Sequence, residues 1–239
     1  MRPVAVVDTR KAQAAIRRYA IGAAPHGVAV GSDGRTMLVV SERGAFVRLD
    51  VATGRVLQRL GLDGSPHSII ASGESAWITD VSARRILVVG ENQRVEILPI
   101  SVVGHDVAAR PASSELWVTP WSGPRVVVLD RETRKEIAGF DVGRDPTHKH
   151  VAFTGDGTEA WITEPSSGSV YVIDAQTRRL SAAVDLGGPP HHIRIAADRA
   201  YVAVGPDKLV VLEVRGRRVV GRRAVGPGVH DVGLGRAAD

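Results

Sequence analysis

The sequence predicts an all-β fold, a six-bladed β-propeller, and three observations predict it. Histidines lead repeated segments at His26, His67, His105, His148, His191 and His230, in steps of 41, 38, 43, 43 and 39 residues. Steps of this size are the period of four-stranded propeller blades. Each repeat divides into four short apolar runs separated by Asp-Gly, Thr-Gly or related pairs, which supply the positive φ and the side-chain caps that tight hairpins demand. Finally, Phe, Tyr and Trp make up only 4% of the chain, so the core must be built from Val, Ile and Leu, as strands favour.

The elements follow in order. Val4–Thr9 and Ala15–Ile21 match the third and fourth strands of a blade, and His230–Leu234 matches a first strand. Both termini are therefore expected to share one closing blade; the sequence stops at Asp239, before a second strand of that blade, so either the blade is incomplete or further residues complete it. The first full repeat reads as strands at His26–Val30, Thr36–Val40, Ala45–Leu49 and Arg55–Leu60. Later second strands are Ala76–Thr79, Leu116–Thr119, Ala160–Thr163 and Ala200–Ala203, and third strands are Ile86–Val89, Val126–Leu129, Val170–Ile173 and Leu209–Leu212. The tryptophans of the second strands read as packing between blades. A parallel α/β sheet would need amphipathic helices between its strands, and only Arg10–Arg18 looks helical, at a place where the repeat needs a turn. Residues 1–239 thus read as a single propeller domain.

Composition narrows the function classes. The net charge is +5, but the arginines lie scattered through turns. The densest group, Arg215, Arg217, Arg218, Arg222 and Arg223, flanks a hairpin with no aromatic residue between for base stacking. A solvated basic surface is expected, with no nucleic-acid partner. No apolar run approaches the roughly 18–20 residues of a membrane span, and Met1–Val7 lacks the core of a secretory leader. No membrane partner and a cytoplasmic location are the corresponding expectations. The absence of cysteine excludes disulfides and thiolate metal sites.

All eight histidines stand at the starts of repeats. In a propeller the first strand is innermost, so these imidazoles are expected to ring the mouth of the channel. Neutral imidazole is a common ligand for zinc, copper and iron. The expected site is a divalent transition metal held by three or four of His26, His67, His105, His148, His150, His191 and His230. His192 should face the other side of its strand from His191. A plainer alternative is structural: in WD-repeat propellers a histidine hydrogen-bonds a turn acid of its own blade. The corresponding positions here vary among Glu42, Asp80, Pro120-Trp121, Glu164 and Asp207, which does not suit one repeated network. Second strands return to the same mouth, so Glu42, Asp80 and Glu164 are expected around the histidines as acceptors or bases. Glu164 is preferred because its repeat also carries His148 and His150.

Two resemblances attach to these residues. Val170-Tyr-Val-Ile-Asp174-Ala-Gln-Thr-Arg178 and its counterparts resemble the YVTN-type propeller family over nearly the whole chain. The segment Gly155–Glu164, Gly-Asp-Gly-Thr-Glu-Ala-Trp-Ile-Thr-Glu, is similar to the repeat of streptogramin (virginiamycin B) lyases. In that family Glu-x-His precedes the turn, and the Glu ending the following strand acts with it and with magnesium to open an ester-linked ring by elimination. The resemblance implies catalytic roles for His150 and Glu164. His148 stands where the family has Glu, a departure that favours zinc, copper or iron over magnesium. The functional expectation is a metal-dependent, lyase-like enzyme acting on a small-molecule substrate, with Lewis-acid metal and His/Glu proton transfer. Its alternatives are a copper or iron oxidoreductase on the same histidines and a non-catalytic binding propeller with structural histidines.

Overall fold

The computed structural model describes residues 4–8, 15–21, 25–31, 33–144 and 148–228. Their contacts gather in two compact units, one reaching to Val103 and the other starting at Gly104. No helix among the described residues is long and apolar enough to cross a membrane.

In the first unit, β1 (Val4–Asp8) pairs with β2 (Ala15–Tyr19), and two four-stranded sheets follow. The first comprises β3 (Val28–Val30), β4 (Thr36–Ser41), β5 (Ala45–Asp50) and β6 (Val56–Gly61), and the second β7 (Pro66–Ser72), β8 (Ser75–Asp80), β9 (Arg85–Val89) and β10 (Val95–Pro99). The second unit holds three more. They are β11 (Gly104–Ala109), β12 (Glu115–Pro120), β13 (Arg125–Asp130) and β14 (Lys135–Asp141); β15 (Val151–Phe153), β16 (Glu159–Glu164), β17 (Ser169–Asp174) and β18 (Leu180–Asp185); and β19 (Pro190–Ala196), β20 (Arg199–Val204), β21 (Lys208–Glu213) and β22 (Arg218–Ala224). Every sheet is an antiparallel meander in chain order, the construction of a propeller blade. Among the described residues there are thus five four-stranded sheets and one two-stranded sheet. The pair β1–β2 occupies the residues expected as third and fourth strands of a sixth blade, whose expected first strand, residues 230–234, lies outside the described residues.

Burial explains why the second and third strands read so clearly as apolar runs. In β8, β12 and β16 one partly buried residue is followed by five buried ones, whereas β22 alternates and then runs exposed. The middle strands have partners on both edges and packing on both faces, so polar side chains find no water there. In the first unit, Leu38, Val40 and Phe46 of one blade pack against Ile69, Ile78 and Leu87 of the next. In the second, Trp117 meets Phe153 of the following blade edge to face at 5.2 Å, and Trp161 lies in a core shared with Ile193 and Val202. Each indole N–H donates to a carboxylate two residues earlier, Glu115 or Glu159, both at 3.0 Å. Burying an indole of this size contributes roughly 4–6 kcal/mol at most. The tryptophans pack between blades, as read from the sequence.

Two local devices recur. At the turn from third to fourth strand, Asp50, Asp130 and Asp174 accept the amide of the Thr three residues on, at 2.7, 2.6 and 2.7 Å. The residue after that Thr takes a left-handed φ, 73° at Gly54, 57° at Arg134 and 59° at Arg178, so the Asp-x-x-Thr pattern is a capped turn. The second device lies at the histidines. Strands β7, β11 and β19 slip register between Pro66 and Ile69, Gly104 and Asp106, and Pro190 and Ile193. Each slip is a bulge, which inserts a residue and re-aims the side chains beside it.

Candidate functional site

In the second unit the bulged first strands and the Thr residues of the neighbouring strands set the geometry together. The hydroxyl of Thr119 accepts the amide of Asp106 at 3.2 Å, and that of Thr163 accepts the amide of His150 at 2.8 Å. Ser68 and Thr79 repeat the arrangement in the first unit at 2.9 Å. Thr79 and Thr119 thus complete hydrogen bonding that a bulge interrupts, and Thr163 satisfies the amide of His150 just before β15 begins.

Four imidazoles and an indole gather on this frame. The ring of His105 lies 5.0 Å from His148 and 4.7 Å from His150, and Trp121 lies 4.6 Å from His148. His192 stacks on His150 at 3.6 Å. His105 and His150 are buried, while Trp121, His148 and His192 are partly exposed. His148 has φ +55°, so the chain turns through the left-handed region just before the strand. The sequence has Pro120-Trp121 where other blades carry an acid, and the indole fills that place against the histidines.

Asp106 supplies the acid. Its Oδ2 accepts from His150 Nδ1 at 3.3 Å and from the Val151 amide at 3.2 Å. Burial alone would push this carboxyl up, but the hydrogen bond from His150 and the positive charge of nearby Arg194 hold it well below the usual carboxylate range. For His150, burial outweighs Asp106 and lowers the imidazole from 6.5 to about 4. At neutral pH the pair is therefore an ionised carboxylate and a neutral ring. A carboxylate only accepts, so Nδ1 carries the proton and Nε2 the lone pair. His191 is also lowered, by burial and then by His192 and His148.

Glu164 has other partners. Its Oε2 pairs with Lys149 Nζ at 2.9 Å, with both side chains 1% exposed, and its Oε1 accepts from Ser166 at 2.5 Å. Lys149 Nζ also donates to Gly123 O at 3.4 Å, tying the strand entry to the turn that carries Trp121. Asp80 caps its own blade through Arg85, Ser82 and the Ser65 amide.

In the first unit, Glu42 does meet histidines. Its Oε1 lies 2.8 Å from His67 Nδ1 and 3.6 Å from His26 Nε2, and the two rings are 3.9 Å apart. His26 Nδ1 donates to the carbonyl of His67 at 3.2 Å, and His105 Nδ1 donates likewise to that of Lys149 at 3.1 Å. The seven expected metal ligands are thus seen as His26 with His67 in one unit and His105, His148, His150 and His191 in the other; His230 lies outside the described residues.

No family model matches the chain. A 140-residue stretch is 29% identical to the uncharacterized protein YncE of Salmonella typhi, covering 55% of this chain and 39% of that protein. A 104-residue stretch is 34% identical to the virginiamycin B lyase of Nocardia farcinica, covering 43% and 36%. The match therefore spans under two-fifths of either curated relative. Among solved structures, the streptogramin B lyase gives a TM-score of 0.72 at 16% identity, covering 84% of this chain and 68% of that one. Kuenenia stuttgartiensis hydrazine synthase gives 0.80 at 17% identity, over 96% and 82%. The chain is thus similar in sequence to YncE and to a virginiamycin B lyase over part of its length, and its all-β fold is propeller-like.

Two members of this propeller's cluster escaped the sequence reading. Asp106 follows His105 directly, yet its partner is 44 residues away on the next blade. His192 was expected to face away, and strict alternation would have required it. The bulge between Pro190 and Ile193 breaks that alternation and brings the ring onto His150.

Proposed function

We propose that this lyase-like propeller is an enzyme that acts on a small, ester-linked organic molecule by proton transfer, with His150 as the base. The observation that supports it is the Asp106–His150 pair, in which the carboxylate fixes the proton on Nδ1 and keeps the ring neutral, with its lone pair on Nε2, at neutral pH. When Nε2 takes a proton, the ionised Asp106 stabilises the imidazolium, as the acid of a Ser-His-Asp triad does. In a ring-opening elimination the base removes a proton from the carbon beside a carbonyl. That electron pair forms a carbon–carbon double bond, the bond from the neighbouring carbon to the ester oxygen breaks, the carboxylate leaves as the anion, and His150 returns its proton to solvent. Trp121, His148 and His192 form the partly exposed edge that a ligand would meet. To Glu164 we assign a positioning role, since it anchors Lys149 between His148 and His150.

A divalent transition metal, zinc, copper or iron, would add Lewis-acid polarisation of a carbonyl. Among the described residues the imidazoles around His150 do not form a group of three donors within 4.8 Å, and the step above uses proton chemistry alone. We propose in addition that β1–β2 belongs to a sixth blade, with residues 1–239 forming one propeller domain.

A second reading, a non-catalytic binding propeller, is favoured by the repeated bond from His26 and His105 to a carbonyl of the next blade. The test is incubation of virginiamycin B with the wild type and with His150→Gln, followed by mass spectrometry. Elimination gives a linear product of unchanged mass, slowed about 100-fold or more in the variant. A product heavier by one water, or no turnover by the wild type, would overturn the lyase reading.

A further inference from the structure

We propose that His26, Glu42 and His67 form a binding site for a divalent first-row transition metal, zinc foremost; this inference does not rest on the proton-transfer reading. Among the described residues, theirs is the one group of three His, Asp or Glu whose donor atoms all lie within 4.8 Å of one another. Metal bonds of about 2.0–2.2 Å in a tetrahedron separate donors by about 3.3–3.5 Å. The observed 2.8 Å from Glu42 Oε1 to His67 Nδ1 and 3.6 Å to His26 Nε2 bracket that value, so small side-chain rotations suffice.

The surroundings already orient the donors. A carbonyl can only accept, so the bond from His26 Nδ1 to His67 O fixes the proton on Nδ1 and leaves Nε2, the atom facing Glu42, as the donor. Metal-bound histidines are commonly held in this way. The His26 amide donates to Val40 O at 2.8 Å, and Ser65 Oγ donates to Glu42 O at 3.0 Å. The close approach depends on Gly27, where a Cβ would stand 2.3 Å from His67 O. The proton between His67 Nδ1 and Glu42 occupies the place that a cation would take, and on binding the ring shifts to the tautomer protonated on Nε2, which turns the Nδ1 lone pair to the cation.

Two imidazoles with one carboxylate suit zinc, copper or cobalt better than magnesium, which prefers an all-oxygen shell. The side chains of His26 and Glu42 are 38% and 44% exposed, and that of His67 9%. The group thus opens to solvent on one side, leaving a coordination position for water or an oxygen-bearing ligand, as in catalytic rather than closed structural zinc sites.

The experiment uses tag-free, chelator-treated full-length protein, titrated calorimetrically with zinc and spectroscopically with cobalt. Wild type and His150→Gln should each take up one equivalent, with cobalt giving tetrahedral visible bands. Glu42→Gln should bind at least about tenfold more weakly, and His26→Ala and His67→Ala should lose the bands. Should His67→Ala misfold by circular dichroism, the more exposed His26 and Glu42 variants still decide. No zinc uptake by folded wild type, uptake unchanged in the His26 and Glu42 variants, or loss in His150→Gln alone would overturn the proposal.

Discussion

Asp106 stands on the first strand of one blade and His150 immediately before the first strand of the next, and a single carboxylate oxygen of Asp106 holds both the His150 ring, at 3.3 Å, and the Val151 amide, at 3.2 Å. One acid thus sets the tautomer of the imidazole and the position of the strand that follows it. The pair is at once a packing contact between blades and the group best suited to move a proton.

Acid should weaken the fold through this pair. His150 titrates at about 4 folded and 6.5 by default, so between these values the unfolded chain binds more protons. Stability is then full above about pH 6.5 and declines as pH falls towards 4, by about 3 kcal/mol in all. Asp106, held low, adds a further loss as pH falls below its ordinary value of 3.8 and through its folded pKa. Urea unfolding at stepped pH should show this slope, and His150→Gln should flatten its upper part. An unchanged slope in the variant would place its origin elsewhere.

Lys149 and Glu164 form an ion pair with both side chains 1% exposed. Removing one partner leaves a buried charge, so Lys149→Met or Glu164→Leu alone should cost about 3–5 kcal/mol. The double variant should recover most of that loss, because two apolar side chains leave no charge to desolvate. Denaturant midpoints of the four proteins measure the cycle, and additive losses would contradict it.

Thr163→Val keeps the shape of a buried side chain and removes the acceptor of the His150 amide. The expected cost is about 1–3 kcal/mol for the unsatisfied N–H. Chemical shifts at His150 should move with it, while Trp161, two positions earlier on the strand, keeps its fluorescence.

Much of the architecture was legible because strands and turns carry local signatures. The run Thr36–Val40 appears as Thr36–Ser41, and Val170–Ile173 as Ser169–Asp174, since each apolar run is bounded by a capped turn. The histidine cluster was legible as a coincidence of repeat position. Its detail was not. A bulge has no residue signature comparable to Asp-x-x-Thr, so the stacking of His192 on His150 could not be read. Asp106 and Lys149 acquire meaning only from partners elsewhere in the chain, and Glu164, read as an acceptor or base beside the histidines, pairs with that lysine.

The most direct measurement is the long-range proton–nitrogen spectrum of the His150 ring, assigned by comparison with His150→Gln and followed from about pH 8 to about pH 3. The account predicts a neutral ring protonated on Nδ1 until the pH approaches 4, with Asp106→Asn disturbing that tautomer. A ring that titrates near 6.5, or one protonated on Nε2 at neutral pH, would contradict it.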